Sequence, residues 1–369
     1  MSIRADQRQP NTDVDPSIDF GYRTTAFQLP GFSWRASWRL IMISALLFVV
    51  ASCIAVVGLT IGDYPLSISE VVNTLVGGGS KFQQMIVLEW RAPILLGALV
   101  FGGLLGIGGA IFQSLSRNPL GSPDIIGFDA GSYTAVIVMI LIIGNRSYWP
   151  IAGAAIVGGL LTAFVVYVLA CRQGIQGFRL IIVGIGVTAI LGSINSYLIT
   201  RAAIEGAMAV GFWSAGSLAR ISWTSLLPSM MIATVVIIAA AALEPGLRRL
   251  ELGDDAAVTL GTRVGAVRLG LIVVGVATTA LVTAAAGPIG FIALVAPQIA
   301  RRLTHTPGTS LLAAAAMGSL LLVGAQVLSL VLGILYRPVP AGLITVCVGG
   351  LYLIWLLVRE TRRQYGVMS

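Results

Sequence analysis

The chain has 369 residues, of which 57% are hydrophobic and only 10% are charged, and its mean hydropathy is +0.93. Because soluble domains carry about 25% charged residues, this composition excludes an ordinary soluble protein and indicates a polytopic membrane protein surrounded by lipid. The formal net charge of +8 does not indicate a nucleic-acid partner, since no basic stripe interleaved with aromatic residues is present.

Residues 1–39 form a polar, proline-containing segment ahead of the first apolar run. The segment lacks the apolar core of a cleavable signal peptide, so we expect the first run to be an uncleaved anchor. We predict a flexible cytosolic tail that ends near Trp34 and Trp38, because tryptophan favours the membrane interface. A transmembrane domain over residues 40–360 and a short cytosolic tail over residues 361–369 follow it.

Apolar runs close to the roughly 20 residues that cross a bilayer as a helix fill the transmembrane domain. The clear runs are residues 40–61, 93–115, 149–170, 180–199, 224–243 and 311–332. The shorter or interrupted runs are residues 126–143, 269–285, 289–300 and 341–358. These runs predict an all-α polytopic membrane protein with about eight to ten spans, rather than a barrel of short alternating strands.

A polar break, RNPLGSPDIIG at residues 117–127, separates two of these runs. Pro119, Gly121 and Pro123 cannot continue a helix, because proline lacks an N–H and restricts the residue before it. Non-helical backbone at the membrane boundary is tolerated only where protein or a water-filled path satisfies its polar groups. The break is therefore a candidate pathway element, with an ordinary interhelical turn as the alternative.

Three polar residues within one turn of the predicted fifth span are Ser193, Asn195 and Ser196. They are candidates to line a water-filled path. The alternative is hydrogen bonding between neighbouring helices, the commoner use of small polar residues in membranes.

The longest cytosolic interruption, residues 244–268, contains LGDDAAVTLG at residues 252–261. We predict a two-turn helix that Asp254 caps, whose dipole Asp255 complements, and that Gly261 ends. The residues expected on its small face are Ala256, Ala257 and Leu260. Such a face suits a groove on another protein, and a surface helix that merely joins two spans is the alternative.

A third stretch, AGPIGFIALVAPQIARRL at residues 286–303, is a short apolar helix punctuated by glycine and proline. Broken segments of this kind occur where transporters build their pathways. Arg301 and Arg302 are expected to anchor its cytosolic end.

Basic residues set the expected orientation. With the N-terminus inside and ten spans, 17 of the 23 Lys and Arg residues fall on the cytosolic side, as the positive-inside rule requires. The six on the opposite side are Lys81, Arg91, Arg146, Arg201, Arg220 and Arg337. We therefore expect both termini in the cytosol.

Residue patterns that carry catalysis or bind metals are sparse. The single histidine, His305, lies in a polar turn, and the three cysteines show no CxxC pairing. No GxxxxGKS/T loop is present to hold a nucleotide, so ATP hydrolysis by this chain is not expected. The six clear spans contain no acidic residue, which disfavours an ion-coupled carrier. We expect no catalytic residue, no metal site and no cofactor bound by the chain.

In order and spacing, these three stretches resemble the permease subunits of the iron-siderophore and cobalamin (FecCD-type) family of bacterial ABC importers. The resemblance covers about residues 40–360 and implies ten transmembrane helices in the type II ABC importer permease fold, within the bacterial cytoplasmic (inner) membrane. It implies a second permease subunit, identical or different, two ABC ATPase subunits that bind ATP-Mg, and an extracytoplasmic substrate-binding protein. The implied function is import of a ferric-siderophore-type chelate. A secondary carrier or channel for a small solute is the alternative.

The resemblance also implies roles for individual residues. The implied cytoplasmic gate consists of Asn118, Pro119 and Leu120. The residues implied to couple to the ATPase are Asp254, Asp255, Ala256, Ala257, Leu260, Gly261 and Arg301. Arg91 matches a position that docks the binding protein, and the other arginines available on that side are Arg201, Arg220 and Arg337.

The chain departs from the family pattern at several positions. The R-x-P-R pattern becomes RAPI at residues 91–94, and the APH pattern becomes APQ at residues 296–298. In the ninth helix, Gln326 and Val331 replace a frequent Asp and Arg. Two expected contacts to carboxylates of the binding protein are thus missing, and a heteromeric partner that carries the other arginines would supply them.

Overall fold

The computed structural model describes residues 24–29, 32–124, 126–170, 177–306 and 308–366. The helices of this part are Trp38–Thr60 (α1), Ile68–Leu75 (α2), Lys81–Gln84 (α3), Ala92–Ser116 (α4), Phe128–Ile137 (α5), Tyr148–Ala170 (α6), Gly177–Arg201 (α7), Ile204–Ser214 (α8), Trp223–Glu251 (α9), Asp254–Thr259 (α10), Val264–Ala286 (α11), Ile292–Thr304 (α12), Leu311–Leu335 (α13) and Ala341–Gly366 (α14). The predicted all-α polytopic fold is confirmed.

Two π-helical segments lengthen the apolar helices. Met85–Arg91 joins α3 to α4, so that Lys81–Ser116 is one helix of 36 residues, and Val138–Ile142 extends α5. Among the described residues, seven helices are long and apolar enough to cross a membrane, namely α1, the joined α3–α4, α6, α7, α9, α11 and α13. Together with the shorter α5 and α12 and with α14, they match the ten predicted segments.

A short antiparallel hairpin precedes α1. Its strands are Thr24–Leu29 (β1) and Phe32–Ser37 (β2), paired from Thr24 opposite Ser37 to Leu29 opposite Phe32. The hydroxyl of Ser37 then accepts a hydrogen bond from the Leu40 N–H at 3.2 Å and caps α1. Part of the predicted flexible tail therefore has regular structure, while residues 1–23 lie outside the described residues.

Helix α4 lies at the centre of the bundle and contacts α9, α11, α12 and α13. Its closest partner is α13, because Gly102 and Gly106 face the backbone of Gly318 and Ala314, where a β-carbon would collide. The Ser319 hydroxyl also donates to the Leu99 carbonyl at 2.6 Å. Small residues thus allow the two backbones to approach, as is common in membrane bundles.

The predicted break between α9 and α11 is narrower than expected. Helix α9 continues through Pro245 to Glu251, so that residues 252–263 alone separate the two long helices. A proline costs one helical hydrogen bond. Helix α9 nevertheless continues, because its next residues bury the apolar side chains of Leu247 and Leu250.

Candidate gate and coupling site

The polar break after α4 folds as a compact turn. Arg117 ends α4 in a left-handed conformation, with φ 49° and ψ 33°. The side-chain oxygen of Asn118 then accepts the Leu120 N–H at 2.9 Å, and the Asn118 carbonyl accepts the Gly121 N–H at 2.9 Å. Asparagine suits this position because its short side chain satisfies the backbone two residues on. We call residues 117–124 the gate segment.

Asp254 connects the gate segment to the first turn of α10. Its carboxylate lies 3.3 Å from the Arg117 guanidinium and accepts two hydrogen bonds from Arg268 at 2.8 and 2.9 Å. Gly253, with φ 116°, takes the N-cap position that the sequence had suggested for Asp254. The carboxylate therefore bridges α10, α11 and the end of α4 rather than capping its own helix.

Glu251 makes a second link at the same end of the bundle. Its carboxylate accepts the Ser114 hydroxyl at 2.8 Å and the Thr309 N–H at 3.2 Å. The last residue of α9 is thus joined both to the last turn of α4 and to the loop that follows α12. Sequence reasoning missed Glu251, because its partners lie far away along the chain.

Helix α12 is fastened to the gate segment by two glutamines. Gln298 donates to the Pro119 carbonyl at 3.2 Å and to the Gln113 side-chain oxygen at 2.8 Å. Gln113, which is buried, donates in turn to the Leu294 carbonyl at 2.8 Å. The three stretches singled out in the sequence therefore meet at one site, at the end of the bundle that we call the coupling end.

Asp124 reaches the beginning of α12. Its Oδ2 accepts the N–H of Phe291 at 3.1 Å, and Phe291 adopts a left-handed φ of 68° at the N-cap of α12. The positive end of the helix dipole stabilises a carboxylate at this position. Asp124 Oδ1 is buried and has no hydrogen-bond partner among the described residues.

Asp129 is a second acid inside the bundle. It lies in the first turn of α5 and accepts the Thr283 hydroxyl at 3.2 Å. The sequence analysis missed both acids, because it searched for acidic residues only in the six clear spans. Asp124 lies just before the interrupted run over residues 126–143, and Asp129 lies within it.

The exposed face of α10 differs from the predicted one. Ala257 is fully buried, at 0% exposure, so its assignment to a docking face is wrong. It lies inside because the chain folds back after α10, where the Thr262 N–H donates to the Ala257 carbonyl at 2.9 Å. Val258 and Leu260 are 61% and 54% exposed. The remaining predicted residues are half-buried or exposed, namely Asp255, Ala256 and Gly261.

A cleft of about 1100 Å³ opens at the coupling end between the gate segment, α9 and α12. Its basic lining comes from Arg117, Arg301 and Arg302, and Glu251 lies on its wall. Arg301 and Arg302 lie in the last turn of α12 and are both exposed. The negative end of the helix dipole stabilises cations at this position. Arg301 thus shares one cleft with the gate segment.

Arg91 lies at the opposite end of the bundle and is half-buried. Its guanidinium donates to the carbonyls of Leu59 at 2.8 Å and Tyr64 at 2.7 Å. It therefore fastens the end of α1 and the following loop to the joined α3–α4 helix. The other arginines expected on that side, all exposed, are Arg201, Arg220 and Arg337.

The three polar residues of α7 do not share one face. Ser193 and Ser196 are exposed, and their hydroxyls donate to the carbonyls of Ala189 and Gly192 at 2.9 Å each. Asn195 is buried, at 4% exposure, and its Oδ1 has no hydrogen-bond partner within the described part of the chain. The two serines therefore lie on the surface of the chain, whereas the Asn195 side chain is buried within it.

Comparison with known proteins identifies the family. Residues 46–359 match the FecCD transport family. The chain is 46% identical over 327 residues to the ferric enterobactin transport system permease protein FepG of Escherichia coli (strain K12), covering 88% of this chain and 98% of the relative. It is 32% identical over 286 residues to the vitamin B12 import system permease protein BtuC of Vibrio cholerae. That alignment covers 76% of this chain and 85% of the relative.

A solved structure, described as an inward-facing conformation of a metal-chelate type ABC transporter, matches with a TM-score of 0.75 at 25% identity. The match covers 86% of this chain and 99% of that chain. The predicted family and permease fold are thereby confirmed. The chain belongs to the FecCD transport family.

Proposed function

We propose that this permease carries a ferric-siderophore-type chelate from a substrate-binding protein into the cytosol, within an ATP-driven importer. The relative that transports ferric enterobactin, at 46% identity over 98% of its length, supports this substrate class. Iron enters already chelated, so the chain needs no metal ligands of its own. Among the described residues, no group of three or more His, Cys, Asp or Glu is placed to hold a metal ion.

The proposed complex contains a second permease subunit, two ABC ATPase subunits that bind ATP-Mg, and the binding protein outside. We propose that the coupling end faces the cytosol, as the positive-inside rule predicts. Val258 of α10 and Leu260, the residue that caps its C-terminus, then offer an exposed apolar surface to an ATPase groove. The exposed apolar side chains of α7, such as Ile190, suit contact with the second permease subunit or lipid.

The bridge formed by Asp254 carries the proposed mechanism. A movement of α10 driven by the ATPase pulls on Arg117, which directly precedes Asn118, Pro119 and Leu120. Gln298 holds the Pro119 carbonyl to α12, so displacement of the gate segment is shared with that helix. ATP-driven alternation of the subunits thereby opens and closes the path.

The gate itself requires two subunits. Leu120 is 36% exposed on its own chain, so a constriction forms only when the second permease brings its equivalent surface opposite. Ser193 and Ser196 are proposed to line the path above this constriction, with Asn195 behind them. At the opposite end, Arg201, Arg220 and Arg337 are exposed docking candidates that do not share the carbonyl contacts of Arg91.

Arginine suits docking because its planar guanidinium pairs bidentately with carboxylates. Arg91 was the leading docking candidate from the sequence. Its two bonds to carbonyls favour a supporting role, in which it positions the loop that the binding protein meets.

The substitution Leu260→Arg tests the proposed function. A charged side chain at this exposed apolar position would have to be desolvated in the ATPase groove. We expect co-purification of the ABC ATPase and chelate uptake both to be lost, while membrane insertion is kept. Val76→Arg is the matched control, since Val76 is 79% exposed and lies at the opposite end. A Leu260→Arg variant that binds the ATPase and transports like the wild type would overturn the proposal.

A further inference from the structure

An apolar groove of about 270 Å³ lies between α1, α12, α13 and α14. Its walls include Ile54, Val295, Leu328 and Val348, one from each helix. The hydroxyl of Thr345 also lines it but donates to the Gly342 carbonyl at 2.9 Å, so it offers no free donor. The groove is larger than the ~150 Å³ apolar cavity that accommodates benzene in a well-studied protein. Its chemistry therefore suits a hydrocarbon chain.

The groove opens toward the outside of the bundle. Leu328 and Val348 are 43% and 52% exposed. Leu328 lies on α13, which is long and apolar enough to cross a membrane, and Val348 lies on the shorter apolar helix α14. We therefore infer that the exposed mouth faces hydrocarbon rather than water. Lipid acyl chains are the hydrocarbon present at that depth.

Cationic side chains lie at the coupling end of the same helices. The Arg302 guanidinium of α12 lies 5.3 Å from the centre of the Trp355 ring of α14. Arg39, in the first turn of α1, donates to the Leu303 carbonyl at 3.2 Å and lies 2.9 Å from His305 Nδ1. Arg39 and Arg302 are exposed, and neither belongs to an ion pair found in the described part of the chain.

The spacing between groove and cations fits one phospholipid. Val295 and Arg302 are seven residues apart on α12, and Val348 and Trp355 are seven apart on α14, so each of these pairs is separated by about 10 Å along its helix. On α1, Ile54 and Arg39 are 15 residues apart, about 22 Å, so the groove extends deeper along that helix. One leaflet of a bilayer is about 15 Å of hydrocarbon. A phosphate held between the arginines thus places the upper acyl chain in the groove, and Trp355 lies at the interface that tryptophan favours.

We propose that this groove binds an anionic phospholipid of the cytosolic leaflet, with Arg302 and Arg39 on its headgroup and an acyl chain between α1 and α14. Net negative charge on the lipid is required because two cations and no paired acid form the rim. The inference uses the proposed orientation of the coupling end and is otherwise independent of the transported substrate. Phe291 lines the inner end of the groove, and Asp124 holds its N–H, so a bound lipid would brace the beginning of α12.

Lipid retention by the purified complex tests the proposal. After detergent exchange, phosphatidylglycerol and phosphatidylcholine would be offered at equal concentration and counted by native mass spectrometry. We expect preferential retention of phosphatidylglycerol, reduced roughly fivefold by Arg302→Gln. Val348→Trp should fill the groove and weaken retention without changing the rim charge. Lys81→Gln, at the opposite end, is the matched control and should retain the lipid as the wild type does.

Three outcomes would overturn the proposal. Equal retention of the two lipids would remove the need for negative charge. Wild-type retention in both Arg302→Gln and Val348→Trp would place the lipid elsewhere. Competition by soluble glycerol phosphate as strong as competition by phosphatidylglycerol would show that the cations bind a phosphate without the acyl groove. Thermal unfolding of each variant, in the same detergent without added lipid, separates misfolding from loss of the site.

Discussion

The two ends of the bundle use their charged side chains in different ways. At the coupling end, Asp254 and Glu251 are bound to side chains and backbone of distant segments of the same chain. At the opposite end, Arg201, Arg220 and Arg337 are exposed, and none of them forms an ion pair among the described residues. Under the proposed function, the coupling-end acids that connect segments of the chain have partners within it, whereas the three arginines proposed for docking form no ion pair in its described part.

Arg91 is an exception to this difference between the two ends. It lies among the arginines of the opposite end, yet its contacts resemble those of the coupling end, because both acceptors belong to its own chain. Its position in the sequence suggested that it docks the binding protein, whereas its hydrogen bonds favour a role in holding the loop after α1 in place. Substitutions at the two kinds of charge should therefore differ in their effects on stability and on docking.

Asp254→Ala should have the largest effect, since it removes two ion pairs and leaves Arg268, whose side chain is 14% exposed, without a carboxylate. We expect the free energy of unfolding to fall by about 2–3 kcal/mol. Uptake should fall further than basal ATP hydrolysis, because α10 no longer connects to the gate segment. Thermal unfolding and proteoliposome uptake measure the two effects.

Arg117→Ala is the control for that variant. The Arg117 pair is 3.3 Å long and its side chains are 57% and 46% exposed, so its loss should cost less than about 1 kcal/mol. Uptake should nevertheless drop, because the link to the gate segment is the same. Normal uptake in both variants would mean that the bridge transmits nothing.

Arg91→Gln should lower the free energy of unfolding by about 2 kcal/mol, because two charge-assisted hydrogen bonds to carbonyls are lost. The carbonyl acceptors carry no net charge, so the loss should depend little on ionic strength. Unfolding in detergent at low and high salt measures it. If stability is unchanged while affinity for the binding protein falls, Arg91 docks as the sequence first indicated.

Asp124→Leu should cost about 1–2 kcal/mol, because the N–H at the beginning of α12 loses its acceptor. Asp124→Asn keeps an acceptor oxygen and should cost less than half as much. Unfolding of the two variants side by side measures the difference. Equal losses would show that negative charge, rather than the hydrogen bond, is what matters at this position.

Apolar runs predicted the long helices well, since a membrane span is specified by length and composition that one sequence displays. The same reasoning missed α9 beyond Pro245, because burial of Leu247 and Leu250 is a tertiary effect. It also missed the hairpin over β1 and β2, because residues 1–39 were interpreted from their overall polarity. The FSWRAS sequence of β2 alternates apolar and polar residues, which is the signal that could have found it.

Side-chain partners were harder to predict than helices. Ser114 and Glu251 are 137 positions apart, and Gln113 and Gln298 are 185 apart, so no local pattern joins them. Ala257 was misassigned for another reason. Both faces of the two-turn α10 carry small or apolar residues, and only the packing against α9 and α11 decides which face is buried.

A smaller effect is expected from breaking the glutamine pair between α4 and α12. Gln113→Leu and Gln298→Leu should each lower the free energy of unfolding by about 1 kcal/mol. In a double-mutant cycle, the pair should show a coupling energy of about 0.5–1 kcal/mol. Either single substitution already removes the hydrogen bond between the two glutamines, so the second substitution cannot remove it again. Strict additivity would mean that the 2.8 Å contact adds no stability.

Arg337→Glu should leave the free energy of unfolding unchanged, because Arg337 is exposed and a surface charge away from partners contributes little. Its expected effect lies in docking: charge reversal should slow association with the binding protein, most strongly at low salt, where screening is weakest. Stopped-flow association at two ionic strengths, with basal ATP hydrolysis as the control, measures this. Rescue by a Glu→Arg change on the binding protein would identify Arg337 as a contact. An association rate that matches the wild type at low salt would assign Arg337 to the lipid headgroups, where a long basic side chain at the end of a span commonly lies.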